Sequence, residues 1–169
     1  MPATKRITTV EQLKEHIGQE LRVSRWRTLT QHEVDVFGEL SGENAWIHND
    51  QERARDSTFG GTIAQGTLTL SMAPAMLAEA EGIEVDLDTR YGLNYGFDRV
   101  RFITPVVVGQ RIRARLTLLD VKDISPGVIQ ITWRRTVEVE GAAKPAMVAD
   151  ALSRQYLSPA DTAREEEGS

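Results

Sequence analysis

The segment FGELSGENAWIHND, residues 37–50, puts a carboxylate and an imidazole five residues apart, at Glu43 and His48. On a continuous helix five residues turn the chain by about 500°, so the two side chains would diverge. In a loop opened by Gly42 they can converge on one small volume. A carboxylate and an imidazole holding one water between them form a general acid/base pair, able to take a proton from that water and return one elsewhere. The spacing alone leaves the ordinary alternative open, a buried histidine satisfied by a backbone carbonyl.

The other reactive side chains have local explanations. The chain has three histidines and no cysteine, which excludes a catalytic thiol, a disulfide framework and any metal site needing Cys ligands. His16 falls in the last turn of a first helix, where a cation suits the helix dipole. His32 falls in the first turn of a second helix and is expected to be exposed. Three separated histidines have no metal-ligand spacing, and there is neither a GxGxxG after a strand nor a phosphate loop. No metal and no cofactor is therefore the expectation. Arg99, Arg101, Arg111, Arg113 and Arg115 could meet phosphates, but alternating arginines read as a solvated sheet face. Trp46 and Tyr95 read as packing residues.

A chain of 169 residues suits one domain. Its formal charge of −5 is the opposite of what a phosphate-backbone binder carries, so nucleic acid is not an expected partner. MPATKRITTVEQ lacks the apolar stretch of a secretory signal. The longest uncharged run, Phe59 to Ala78, approaches the ~20 residues of a membrane span. Gly60, Gly61, Gln65, Gly66, Ser71 and Pro74 make it a poor one. A soluble, cytoplasmic protein without a membrane partner is expected.

The elements that must hold Glu43 and His48 can be read from periodicity and caps. Residues 1–7 are expected to be a disordered lead, 8–157 one domain, and 158–169 a disordered tail. Thr8 with Glu11, or Thr9 with Gln12, has capping-box spacing ahead of Val10, Leu13 and Ile17, and Gly18 is a left-handed stop. A strand is expected over Leu21 to Trp26. Thr30 with Glu33 opens a second helix carrying Val34, Val36 and Phe37. Asn49-Asp50 caps a short helix over Gln51 to Arg55. After Gly60-Gly61, residues 63–80 are apolar on nearly every side, which predicts a helix buried all round and kinked at Pro74. Arg111 to Leu118 alternates with a period of two. Ile129, Ile131, Trp133, Val137 and Val139 share a face that Arg135 interrupts. Further strands are expected over 99–103 and 145–157, with turns at 105–109, 125–127 and 141. One apolar helix and several long alternating strands predict an α+β hot-dog arrangement, a curved antiparallel sheet wound around a central helix. Its open edges call for a second copy.

Three stretches in this order, SGENAWIHND, FGGTIAQGTLTLSM and YGLNYGFDRVRFITPVVVGQRIRARLTL, resemble the MaoC-type (R)-specific enoyl-CoA hydratases and dehydratases. The resemblance runs from about residue 8 to 157. It implies a hot-dog homodimer of acyl-thioester (fatty acid) metabolism, with an acyl-CoA thioester as substrate and Glu43 and His48 as the catalytic pair. The family usually has Asp where this chain has Glu43, and His where it has Gln65. Asn and Pro, usual two and three residues after the acid, are Ala45 and Trp46.

The implied chemistry is hydration of a trans-2-enoyl thioester or the reverse dehydration. Attack at the third carbon of the acyl chain, counting the carbonyl carbon as the first, drives charge onto the thioester oxygen, which backbone N–H groups at Gly66 can stabilise at the helix end. Ser71 could line the acyl pocket or bond back to its own helix. Two alternatives remain: an acyl thioesterase on the same fold, and a non-catalytic acyl-thioester-binding module.

Overall fold

In the computed structural model, which describes residues 6–159, the chain opens with β1 (Arg6–Ile7), α1 (Val10–Lys14), β2 (Glu20–Val23) and β3 (Arg27–Thr28). Three helices follow, α2 (Gln31–Ser41), α3 (Trp46–Asn49) and α4 (Gln51–Arg55), and then the long α5 (Gly66–Ala78). The short β4 (Glu81–Gly82) and β5 (Glu84–Val85) lead to β6 (Thr89–Phe102), β7 (Arg111–Ser125), β8 (Val128–Val139) and β9 (Met147–Leu157).

Local chemistry sets the helix ends. Thr9 with Gln12 and Thr30 with Glu33 both form complete capping boxes, each satisfying two first-turn donors. Asp50 caps α4 through the Arg53 N–H. Gly42 ends α2 at φ 79°, a left-handed conformation that glycine adopts without strain.

The long strands form one antiparallel sheet in the order β4-β2-β7-β8-β9-β6, with β3 also on β7, while β1 pairs in parallel with β5. Helix α5 packs on the inner face, where Leu68, Met72, Ala73, Met76 and Leu77 meet Ile112, Ala114, Val137, Met147 and Ala149. A second cluster, with Ile7, Leu13, Leu21, Leu118, Ile129 and Ile131, extends the core under α1. Arg135 falls between these clusters on the inner face. Its Nε is buried without a partner, and burial lowers the pKa of its guanidinium. The sheet wound around α5 is the hot-dog arrangement expected from the strand pattern.

Several boundaries differ from expectation. Arg6 and Ile7, expected in the lead, are part of the fold: Ile7 is buried and Arg6 pairs with Glu84 and Asp86. The rest of the expected lead, residues 1–5, and most of the expected tail, residues 160–169, lie outside the described residues. Strand β2 stops at Val23. Helix α5 begins at Gly66, not 63, because Ile63 and Ala64 are drawn into sheet-like bonds with Val107 and Val106. Nor is α5 wrapped all round: Thr67, Ser71, Pro74, Ala75 and Ala78 form an exposed stripe, since the sheet curves around one side of the helix only. Strand β6 is 14 residues long, not five. Register shifts at 89/91, 94/96 and 97/99 break its period of two, which hides it in the sequence.

On the outer face the alternating arginines form a ladder of ion pairs: Arg111 with Glu140, Arg113 and Arg115 with Glu138, and Arg115 with Glu20. Burial pushes the Glu138 carboxyl up, but Arg113 and Arg115 together pull it below its ordinary range. A carboxylate depressed by folding stabilises above its unfolded pKa of about 4.3 and loses that contribution as pH falls through the folded value. In Glu138→Gln the thermal midpoint should therefore decline less between about pH 5 and pH 3 than in the wild type. Parallel declines in thermal scans across that window would contradict the ladder's role.

Candidate active site

Among the helices, α5 enters its first turn without a side-chain cap. Gln65 occupies the N-cap but gives no capping bond, unlike Thr9, Thr30 and Asp50 at α1, α2 and α4; the single turn α3, which follows Ala45, has no side-chain cap either. The first N–H groups of a helix have no intrahelical acceptor, and the dipole makes this end attractive to negative charge. A pocket of roughly 270 Å³ opens there, its wall including His48, Ile63, Gly66, Thr69, Phe102 and Val106. Gly66 is required by its neighbour: a Cβ at that position would stand 2.7 Å from the Phe102 ring.

His48 sits on α3, a single turn that α2 and the extended segment before α5 hold from two sides. Its Nδ1 lies 2.8 Å from the Ile63 carbonyl oxygen. A carbonyl can only accept, so in the neutral ring Nδ1 carries the hydrogen and Nε2 keeps its lone pair. The His48 carbonyl accepts from Gln31 Nε2 at 2.8 Å. Gln31 also donates to Asp35 and accepts from the buried Thr62 hydroxyl. Both the backbone and the ring of His48 are thereby fixed.

Glu43 reaches the same helix end by another route. Its two carboxylate oxygens lie 3.1 and 3.0 Å from Thr67 Oγ1, on the first turn of α5, and the hydroxyl donates to them. Its backbone carbonyl accepts from Gln65 Nε2 at 3.2 Å. Glu43 is exposed and stands outside the pocket wall that His48 and Gly66 share. Among the described residues no hydrogen bond joins Glu43 to His48. The five-residue spacing thus brings both groups to one helix end, but through separate anchors. Between them, the imidazole offers a lone pair, the carboxylate a second proton acceptor and the helix end a seat for negative charge.

Ser71 does not line this pocket. Its hydroxyl donates to the Thr67 carbonyl at 2.8 Å, the back-bonded alternative, on the exposed stripe of α5. Five residues beyond Gly66, it has turned well away from the Gly66 side. His16 is buried, with Nδ1 2.8 Å from the Gln12 carbonyl, and His32 is exposed. The Trp46 ring carries the Arg53 guanidinium, and the Tyr95 ring that of Arg154. Sequence reasoning missed Gln31, Thr62 and Thr67. Thr67, next to Gly66, could have been found as the hydroxyl nearest the helix start, whereas Gln31 and Thr62 carry no local signal because their partners lie far along the chain. Among the described residues no cluster of His, Cys, Asp and Glu could hold a metal ion. No helix there is long and apolar enough to cross a membrane.

Residues 12–141 match the protein family described as the MaoC like domain. The 3-hydroxyacyl-thioester dehydratase Z of Mycobacterium tuberculosis is 41% identical over 146 residues, 86% of this chain and 95% of that protein. Among solved structures, the monoamine oxidase regulatory protein of Archaeoglobus fulgidus superposes with a TM-score of 0.75 at 24% identity, covering 92% of this chain and 99% of that one. The (R)-hydratase of A. caviae involved in PHA biosynthesis gives 0.61 at 20% identity, covering 84% and 96%. At these identities the two structures share the fold.

The contact between Gly66 and Phe102 makes a prediction against the usual sign. Gly→Ala in a helix ordinarily stabilises. Here Gly66→Ala should overpack the first turn at a cost of about 1–3 kcal/mol, lowering the thermal midpoint by roughly 3–10 °C. A raised midpoint in calorimetry would contradict the contact.

Proposed function

The chain belongs to the MaoC-like dehydratase family, and on that premise we propose that it adds water to trans-2-enoyl thioesters, giving (R)-3-hydroxyacyl thioesters, or runs the reverse dehydration. The observation that carries this reading is the placement of His48. Its Nδ1 is tied to the Ile63 carbonyl, and it faces the same pocket as Gly66 at the uncapped start of a 13-residue helix. The name of the M. tuberculosis relative, a 3-hydroxyacyl-thioester dehydratase, supports the substrate class.

The thioester carbonyl is seated at the first turn of α5, where backbone N–H groups and the dipole stabilise the enolate oxygen as it forms. His48 Nε2 accepts a proton from water as the water oxygen bonds to the third carbon of the acyl chain, counting the carbonyl carbon as the first. The electron pair moves toward the thioester oxygen, and a proton delivered by the Glu43 and His48 pair to the adjacent carbon completes the addition. Glu43, held by Thr67, supplies the second site through which that proton passes. The reverse direction uses the same groups. An acyl-CoA thioester is the proposed substrate, and the protein works in the cytoplasm.

We also propose a homodimer. β6 is a terminal strand of the sheet and exposes Tyr91, Leu93, Tyr95 and Phe97. An edge strand with apolar side chains is a template for pairing. A second copy there would complete the sheet.

Crotonyl-CoA should lose its enoyl absorbance in the presence of the protein without release of free thiol, and His48→Ala should lower turnover about 10²–10⁴-fold with the fold intact by circular dichroism. Release of thiol would point to a thioesterase, neither change to a binding module, and full turnover by His48→Ala would remove its assigned role. Sedimentation should give a dimer in the wild type and a monomer in Leu93→Arg; a dimer unaffected by that change would place the interface elsewhere.

A further inference from the structure

At the N-cap of α5, Gln65 reaches both the Glu43 loop and α2 with one amide. The side chain is completely buried. Its Nε2 donates to the Val34 carbonyl of α2 at 3.1 Å and to the Glu43 carbonyl at 3.2 Å. Both amide hydrogens are thus committed, to acceptors 31 and 22 residues away in the chain. Reversing the amide would set its oxygen against two carbonyls, so its orientation is fixed. Space for this junction comes from Gly38, where a Cβ would stand 2.7 Å from Asn44 Oδ1 and 3.2 Å from Gln65 Nε2.

The same amide leaves Oε1 buried without a partner. An unmatched buried acceptor costs free energy that an apolar side chain of similar size would not. What the residue provides in exchange is placement. The Glu43 backbone is held at one height above the helix end where its carboxylate meets Thr67.

Resting on the hydration reading above, we propose that Gln65 is a positioning residue for Glu43: through its two donated hydrogen bonds it fixes the acid-bearing loop against α2 and the start of α5. It does not touch substrate, so its removal acts on the geometry of the reacting groups more than on binding. A displacement of about 1 Å in such a group costs ~100-fold in rate.

The test compares Gln65→Leu, Gln65→Glu and Gln65→His with the wild type. Gln65→Leu removes both donors and should lower kcat about 100-fold with KM nearly unchanged. Gln65→His restores a donor and should recover part of kcat. A carboxyl at 65 can donate only when protonated, so the kcat of Gln65→Glu relative to the wild type should be highest at low pH and should fall as pH rises. Amide exchange, followed by mass spectrometry in whichever variants fold, should quicken over residues 39–50 and not in β7–β9. Wild-type kcat in Gln65→Leu, a Gln65→Glu pH profile parallel to the wild type, or unchanged exchange over 39–50 would overturn the inference. If the wild type hydrates no enoyl thioester, the proposed function falls, and the exchange result still decides whether Gln65 holds the loop.

Discussion

A helix that begins inside a protein must find acceptors for its first N–H groups. Three of the helices here solve this with a side chain: Thr9, Thr30 and Asp50 each cap the helix that follows. The longest does not. Gln65 is placed where a cap would stand, yet its amide is turned away to two carbonyls. The positive end of α5 therefore faces the pocket containing His48. Much of the architecture follows from keeping that end open: Gly66 has no side chain to block it, Phe102 packs on the glycine, and the sheet holds the helix by its buried face.

Helix α2 is the brace between the two acid/base candidates. Gln31, in its first turn, holds the carbonyl of His48, and Val34, one turn on, receives the bond that Gln65 shares with Glu43. The capping box at Thr30 fixes where that helix starts, and Gly42 fixes where it stops. Two short polar connections thus convert a five-residue loop separation into a defined arrangement at the helix end. Each is buried or partly buried, where hydrogen bonds are stronger and their loss more costly than on the surface.

Much of this was legible in the chain. The capping boxes at Thr9 and Thr30, the short helix at Gln51 to Arg55, the alternation over Arg111 to Leu118 and the apolar helix before it all carry local signals, and together they imply the sheet wrapped around a helix. Glu43 and His48 stood out by type and spacing. What was hidden depends on contacts distant in sequence. The true length of β6 was masked by bulges that interrupt its alternation. The start of α5 was shifted because Ile63 and Ala64 pair with residues more than 40 positions away. The open stripe of α5 reads as core by composition, since Pro74, Ala75 and Ala78 are apolar, and only the curvature of the sheet reveals that none of the described residues covers it. Gln31 and Thr67, whose partners are a distant carbonyl and a carboxylate, look like surface polar residues in the sequence.

The central claim is that water attacks an enoyl thioester at the open end of α5. Its most direct test is to run the reaction on crotonyl-CoA in ¹⁸O-labelled water and locate the label by mass spectrometry. Hydration places one ¹⁸O on the third carbon of an intact 3-hydroxybutyryl thioester. Label found in a free carboxylic acid, with the thiol released, would mean that water attacks the carbonyl instead and would contradict the account.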